Sequence, residues 1–249
     1  MKQIPAAESQ HSGGEEVFVF PLSFAQERLW FVDQLLPGNR LFNLNTALRL
    51  RMALEVDALE RSINEIVRRH ETLRTKFTVI DFQPVQVVVP SLRLKVPLVD
   101  LSGLPPTERE REATRLANEE AQRPFDLTQS PLLRVSLLRL GPKDHVLFVT
   151  MHHIVSDGWS MGIFWNELSA IWSAFGQGRP SPLPELPLQY ADFALWQREW
   201  LQGAVLDEQL SFWKKNLAGA PVTELPHDFA RPAIQSFSAR NTLLRFQMN

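Results

Sequence analysis

The sequence predicts an α/β sandwich. Short β-branched or apolar runs alternate with amphipathic helical patterns, one apolar run is continuous enough for a strand buried on both faces, and several sheet elements argue against a helical bundle. The 249 residues are 44% hydrophobic and 22% charged, ample for a core in one large or two small domains.

Residues 1–16 are polar, carry Ser12-Gly13-Gly14, and are expected to form a flexible leader. Ser23-x-x-Gln26 has the form of a capping box. Behind it Ala25, Leu29, Val32 and Leu36 recur as one helical face. Residues 44–50 read as a strand. Asp57 then opens a second helix with Leu59, Ile63, Ile66 and Val67 as its buried stripe. Residues 72–79 and 84–89 are further strands. Thr107-x-x-Glu110 starts a charged helix running to about Arg123, and Leu132–Leu140 is another strand.

Val146–Met151 is the continuous apolar run, as expected of a strand covered on both faces. It ends in His152-His153, turns through Ile154-Val155-Ser156-Asp157-Gly158, and enters a helix carrying Met161, Trp165, Leu168, Trp172 and Phe175, with Gly176 and Gly178 at its end. A Pro-rich connector, Arg179–Pro187, leads to helical patterns at 189–201 and 206–217, and an apolar run, Leu243–Phe246, closes the sequence. No internal repeats are present.

Composition excludes several chemistries. There are no cysteines, so disulfides, thiolate metal sites and Cys nucleophiles are absent. A net charge of −2 gives no electrostatic footprint for nucleic acid or an anionic membrane. No apolar run reaches the roughly 18 residues needed to cross a bilayer, and MKQIPAAESQ lacks a signal peptide's apolar core. A cytoplasmic location is expected.

The chemistry points to the end of the apolar strand. Strand side chains alternate faces, so His152 and His153 should point in opposite directions, one into the packed interior and one into an open channel. Neighbouring histidines on a strand do not converge on one ion, which argues against a metal site. Asp157 could accept backbone N–H bonds at the helix start or pair with an arginine from elsewhere; Gly158 could supply a permissive backbone. Position alone leaves two readings, a catalytic imidazole or two satisfied structural histidines.

Four segments carry a family resemblance. Met151 to Ser160 resembles the HHxxxDG motif of nonribosomal peptide synthetase condensation domains. Ser23-Phe24-Ala25-Gln26-Glu27-Arg28-Leu29-Trp30 is similar to the family's SxAQxRLW, Arg69–Phe77 to RHExLRTxF, and Tyr190–Trp196 to YxDFAxW. Leu225-Pro226-His227-Asp228 and Arg231-Pro232 resemble the stretch leading towards the family's second lobe. All occur in the family's order, and the resemblance extends from Val17 to the end.

The resemblance implies a two-layer sandwich lobe of the chloramphenicol-acetyltransferase-like fold: an N-terminal lobe over 17–180, then connector helices and the start of a truncated second lobe over 181–249. It implies amide formation between a carrier-bound acyl or peptidyl donor and an aminoacyl acceptor thioester. His153 would face the tunnel as general base or as hydrogen-bond partner of the amine. His152 would hold the loop, Gly158 would support the turn, and Asp157 would form a buried ion pair with Arg74. Trp159, Trp165, Tyr190 and Trp196 are read as packing residues. No cofactor or metal is expected on this chain; substrates would arrive on the phosphopantetheine of acyl or peptidyl carrier domains, with adjacent synthetase modules as partners. His152 and His153 argue against a heterocyclisation subtype, and domains joining two L-residues or taking a fatty acyl donor fit the pattern. With one lobe truncated, little activity and an aggregation-prone open face are expected of the chain alone. A coenzyme A-dependent acyltransferase and a non-catalytic carrier-docking module are the alternatives.

Overall fold

In the computed structural model, Glu8–Ser12 (β1) and Glu15–Pro21 (β2) pair antiparallel, so part of the expected flexible leader is strand. The structure describes residues 8–12, 15–224, 226, 229–230 and 233. Apart from Pro226, the resemblance at 225–228 and 231–232 lies outside the described residues, as does the 243–246 run. β2 pairs on its other side with Gln83–Val88 (β5), which pairs with Thr75–Ile80 (β4), giving an antiparallel sheet of order β1-β2-β5-β4. In β4 the alternation is legible in TKFTVI, where Thr75 and Phe77 turn inward. Glu71–Arg74 forms a 3₁₀ turn ahead of it rather than the strand expected from residue 72.

The second sheet has the order β3-β8-β7-β6, formed by Asn43–Leu50 (β3), Leu98–Asp100 (β6), Leu133–Gly141 (β7) and Asp144–His152 (β8). Only β6 pairs in parallel. β8 is central, and its two faces enter two clusters. Leu147, Val149 and Met151 join Leu59, Ile63, Ile66 and Val67 of Val56–Arg69 (α2) and Phe164, Leu168 and Ile171 of Gly158–Phe175 (α4). Phe148, with Val146 beside it, joins Leu138, Leu140 and Ala113 of Pro106–Gln122 (α3). Truncating such buried aliphatic residues costs about 2–5 kcal/mol each, so this double coverage fixes where β8 ends and α4 begins.

Local signals account for most boundaries. Phe24–Leu35 (α1) starts with the expected capping box: Ser23 N–H donates to Gln26 Oε1 at 2.9 Å, and Gln26 N–H to Ser23 Oγ at 3.2 Å. α3 starts at Pro106 with no side-chain cap, because proline suits the first helical turn where its missing N–H costs nothing. The buried stripe of α4 is Phe164, Leu168, Ile171 and Ala174; Met161, Trp165, Trp172 and Phe175 flank it, partly buried.

The chain divides into compact units at Gln202/Gly203. Tyr190–Trp200 (α5), expected among the connector helices, belongs to the first unit: Ser23 Oγ and Tyr190 OH lie 2.9 Å apart, Phe24 N–H donates to Gln197 Oε1 at 3.0 Å, and Arg198 Nε donates to the Leu22 carbonyl at 2.8 Å. Gly203–Leu217 (α6) opens the second unit.

Candidate active site

Both neighbours of β8 hold its end. His152 N–H donates to the Leu132 carbonyl at 3.0 Å, and His153 N–H to the Phe42 carbonyl at 2.8 Å. The chain then turns sharply, Val155 N–H returning to the His152 carbonyl at 3.1 Å.

The two histidines part as strand alternation requires. His152 is 3% exposed, and its ring lies edge-on to Phe42 and Phe125 at 5.9 and 6.0 Å. Its Nδ1 accepts from the Ile154 N–H at 3.1 Å, which places the ring proton on Nε2. Burial, with a smaller contribution from His153, lowers its pKa to about 4. His153 is exposed and lines a cleft of about 460 Å³. Ala25 and Leu29 of α1, Ile163 of α4, Leu186 of the connector and Leu188 just after it give that cleft apolar walls.

Asp157 and Arg74 are not partners. Asp157 is exposed and caps α4, its Oδ1 accepting from Ser160 N–H at 2.8 Å and Ser160 Oγ at 2.7 Å. Those bonds, backbone first, hold its carboxyl below the usual range. Arg74 donates to the Val89 carbonyl and, at 3.1 Å, to Glu71 Oε1, tying the 3₁₀ turn to the residue directly after β5. The expected buried pair is replaced by a helix cap and a turn clamp, since each group satisfies itself locally. Gly158 is the first residue of α4; its φ is not left-handed and a Cβ there would meet nothing within 4 Å, so the turn does not depend on a permissive backbone. Trp159, read as packing, is 82% exposed, because the first turn of α4 projects it away from the core. Trp165 does pack against the core. Trp196 is half exposed and stacks on Trp200, with centroids 5.3 Å apart.

Sequence reasoning passed over a polar cluster at the same cleft. Arg69, 3% exposed, donates from Nε and Nη2 to the two oxygens of Glu167, each at 3.2 Å, and from Nη1 to the Pro184 carbonyl at 2.6 Å. His70 Nε2 meets Glu167 Oε2 at 2.8 Å, and Gln189 bridges the Arg69 carbonyl and the Glu71 N–H. The signal was present in RHExLRTxF, but its partner Glu167 stands 97 residues from His70, on a helix that looks merely amphipathic. Among the described residues no group of three His, Cys, Asp or Glu side chains could hold a metal, and no helix is long and apolar enough to cross a membrane.

A sequence model of the Condensation domain family matches residues 18–249. The chain belongs to the condensation-domain family. This condensation domain is similar to a linear gramicidin synthase of Brevibacillus parabrevis, 51% identical over 218 residues that make up 87% of this chain and 3% of that protein. It is also similar to the X-domain of teicoplanin biosynthesis solved in complex with OxyB, with a TM-score of 0.75, 34% identity, and coverage of 93% of this chain and 50% of that one. The starter condensation domain of rhizomide synthetase superimposes with a TM-score of 0.73 at 21% identity, over 82% of this chain and 49% of that one, a likeness that shows the fold alone. The fold is thus α/β, of the chloramphenicol-acetyltransferase-like kind, and the chain spans about half the length of these solved structures.

Proposed function

We propose that this chain supplies the His153-bearing wall of a site that joins two carrier-bound thioesters through an amide. The exposure of His153 in an apolar cleft, beside a buried neutral His152, is the observation that carries this reading. The acceptor amine attacks the donor's thioester carbonyl, the C–N bond forms, and the C–S bond breaks to release the donor's pantetheine thiol. His153 receives the amine proton or accepts its hydrogen bond, and the proton passes to the departing sulfur. The apolar walls suit the methylene-rich parts of pantetheine-borne chains, and holding both reactants in one cleft supplies the effective concentration. Asp157 and Arg74 act at a distance, by capping α4 and clamping the turn before β4.

The test supplies the second half of a condensation domain together with charged donor and acceptor carrier proteins. Wild type should form the amide, and His153→Ala should lose roughly 10²–10⁴-fold, the usual worth of a positioned acid–base group. Full activity in that variant overturns the assignment. The chain alone should make little or no product, and acyl-coenzyme A should not replace the acyl carrier. The likeness to an X-domain solved with OxyB favours a second reading, a docking module; carrier binding without turnover in the completed domain would support it.

A further inference from the structure

The cleft that holds His153 is also lined by a second imidazole, His70, at the C-terminal end of α2. Glu167 governs its state. Burial pushes the Glu167 carboxyl up, but the hydrogen bonds from Arg69 and His70 outweigh burial and hold it below its ordinary value, so it is ionised and can only accept. The 2.8 Å contact with a carboxylate therefore puts a proton on His70 Nε2, and in that tautomer Nδ1 is the acceptor. Nδ1 has no hydrogen-bond partner among the described residues, and the side chain is 23% exposed. Arg69 and Gln189 fix the remaining freedom of the group, binding α2, α4 and the connector around it. A cleft wall that is mostly apolar thus carries one oriented acceptor in want of an N–H.

We propose that His70 is a substrate-binding residue, its Nδ1 accepting a hydrogen bond from an N–H of the aminoacyl or peptidyl chain in the cleft. The inference rests on the condensation reading above. Glu167 is the positioning residue: as a carboxylate it keeps the tautomer that accepts, whereas a glutamine there could donate to Nε2 and move the proton to Nδ1.

Two measurements test it. Nitrogen-15 NMR of the histidines in this chain should show His70 protonated at Nε2, and Glu167→Gln should shift the proton towards Nδ1; a wild-type Nδ1–H tautomer overturns the proposal without any activity measurement. In the completed domain, His70→Ala should raise KM for the recognised substrate about tenfold, the scale of one lost hydrogen bond, with kcat less affected. His70→Asn, which returns an acceptor near the Nδ1 position, should recover most of the loss. N-methylation of the donor amide and, read by binding alone, N,N-dimethylation of the acceptor amine each remove every N–H at that position and identify the one that is read: one of them should make wild type and H70A alike. Equal sensitivity to H70A with both methylated substrates, or no effect of H70A at all, overturns the proposal while leaving the role of His153 intact. An inactive wild type, or an undiminished H153A, defeats the condensation reading instead, and the NMR result then still decides the tautomer.

Discussion

The Nδ1 of His152 accepts the Ile154 N–H at 3.1 Å, closing the turn on which the neighbouring His153 is presented to the cleft. Protonating Nδ1 would break that bond inside a shell of Phe42 and Phe125. Because the folded-state pKa lies at about 4 against 6.5 for the free side chain, the unfolded chain binds more protons between those values. Stability should fall as pH drops from 6.5 to 4, by on the order of 3 kcal/mol. The depressed carboxylates Glu60, Asp144 and Glu167 lose their contributions only as pH falls below their unfolded values of 4.5, 3.8 and 4.5, a lower window. His152→Asn keeps an acceptor for Ile154 and does not titrate. Denaturant unfolding at stepped pH should give this variant a flatter profile above pH 4; an unchanged slope would refute the assignment.

Arg69 and Glu167 form the most buried ion pair of the first unit, at 3% and 13% side-chain exposure. Removing Arg69 leaves the buried Glu167 carboxylate with His70 alone between α2 and α4. Arg69→Ala should cost about 3–5 kcal/mol, whereas joint replacement by Met and Leu should cost much less. A double-mutant cycle by chemical denaturation measures the difference, and additive costs would show the pair is not coupled.

Asp157 contributes through a helix cap rather than a buried pair, and the two roles differ in size. Asp157→Ala should destabilise the chain by about 1 kcal/mol, and Asp157→Ser should restore most of that. A loss near 4 kcal/mol, the scale of a stranded buried charge, would mean that the carboxylate has a partner besides Ser160.

How far the sequence could be read depended on the range of the interactions involved. β8 and α2 announced themselves because their signals are local: VLFVTM is apolar at every position but Thr150, and Leu59, Ile63, Ile66 and Val67 repeat at helical spacing. The opposed directions of His152 and His153 followed from strand alternation alone. β6 went unnoticed because three exposed residues carry no pattern. The Asp157–Arg74 pairing failed because opposite charges in neighbouring motifs do not reveal that each has a nearer partner. The His70–Glu167 contact needed α2 and α4 side by side, which no single segment encodes.

The β4–β5 hairpin turns through Asp81 and Phe82 at φ 49° and 62°, between the paired residues Ile80 and Gln83. A two-residue loop with both φ positive is the mirror-image turn that fits strand twist, and it favours Asn-Gly or Asp-Gly. Asp81 suits its place; Phe82 does not, since a left-handed backbone costs a residue with a Cβ about 1–2 kcal/mol. Nothing offsets that cost within the fold, as Phe82 is 97% exposed and buries no ring surface. Phe82→Gly relieves the strain and gives back part of the gain as greater freedom of the unfolded chain, about 0.5–1 kcal/mol. The net expectation is a stabilisation of about 0.5–1 kcal/mol with the hairpin register unchanged, read from the urea midpoint at constant m-value. Phe82→Ala keeps the strain and should leave stability close to wild type, which separates backbone relief from loss of the ring. If Gly and Ala behave alike, the strain at position 82 is not what the hairpin carries.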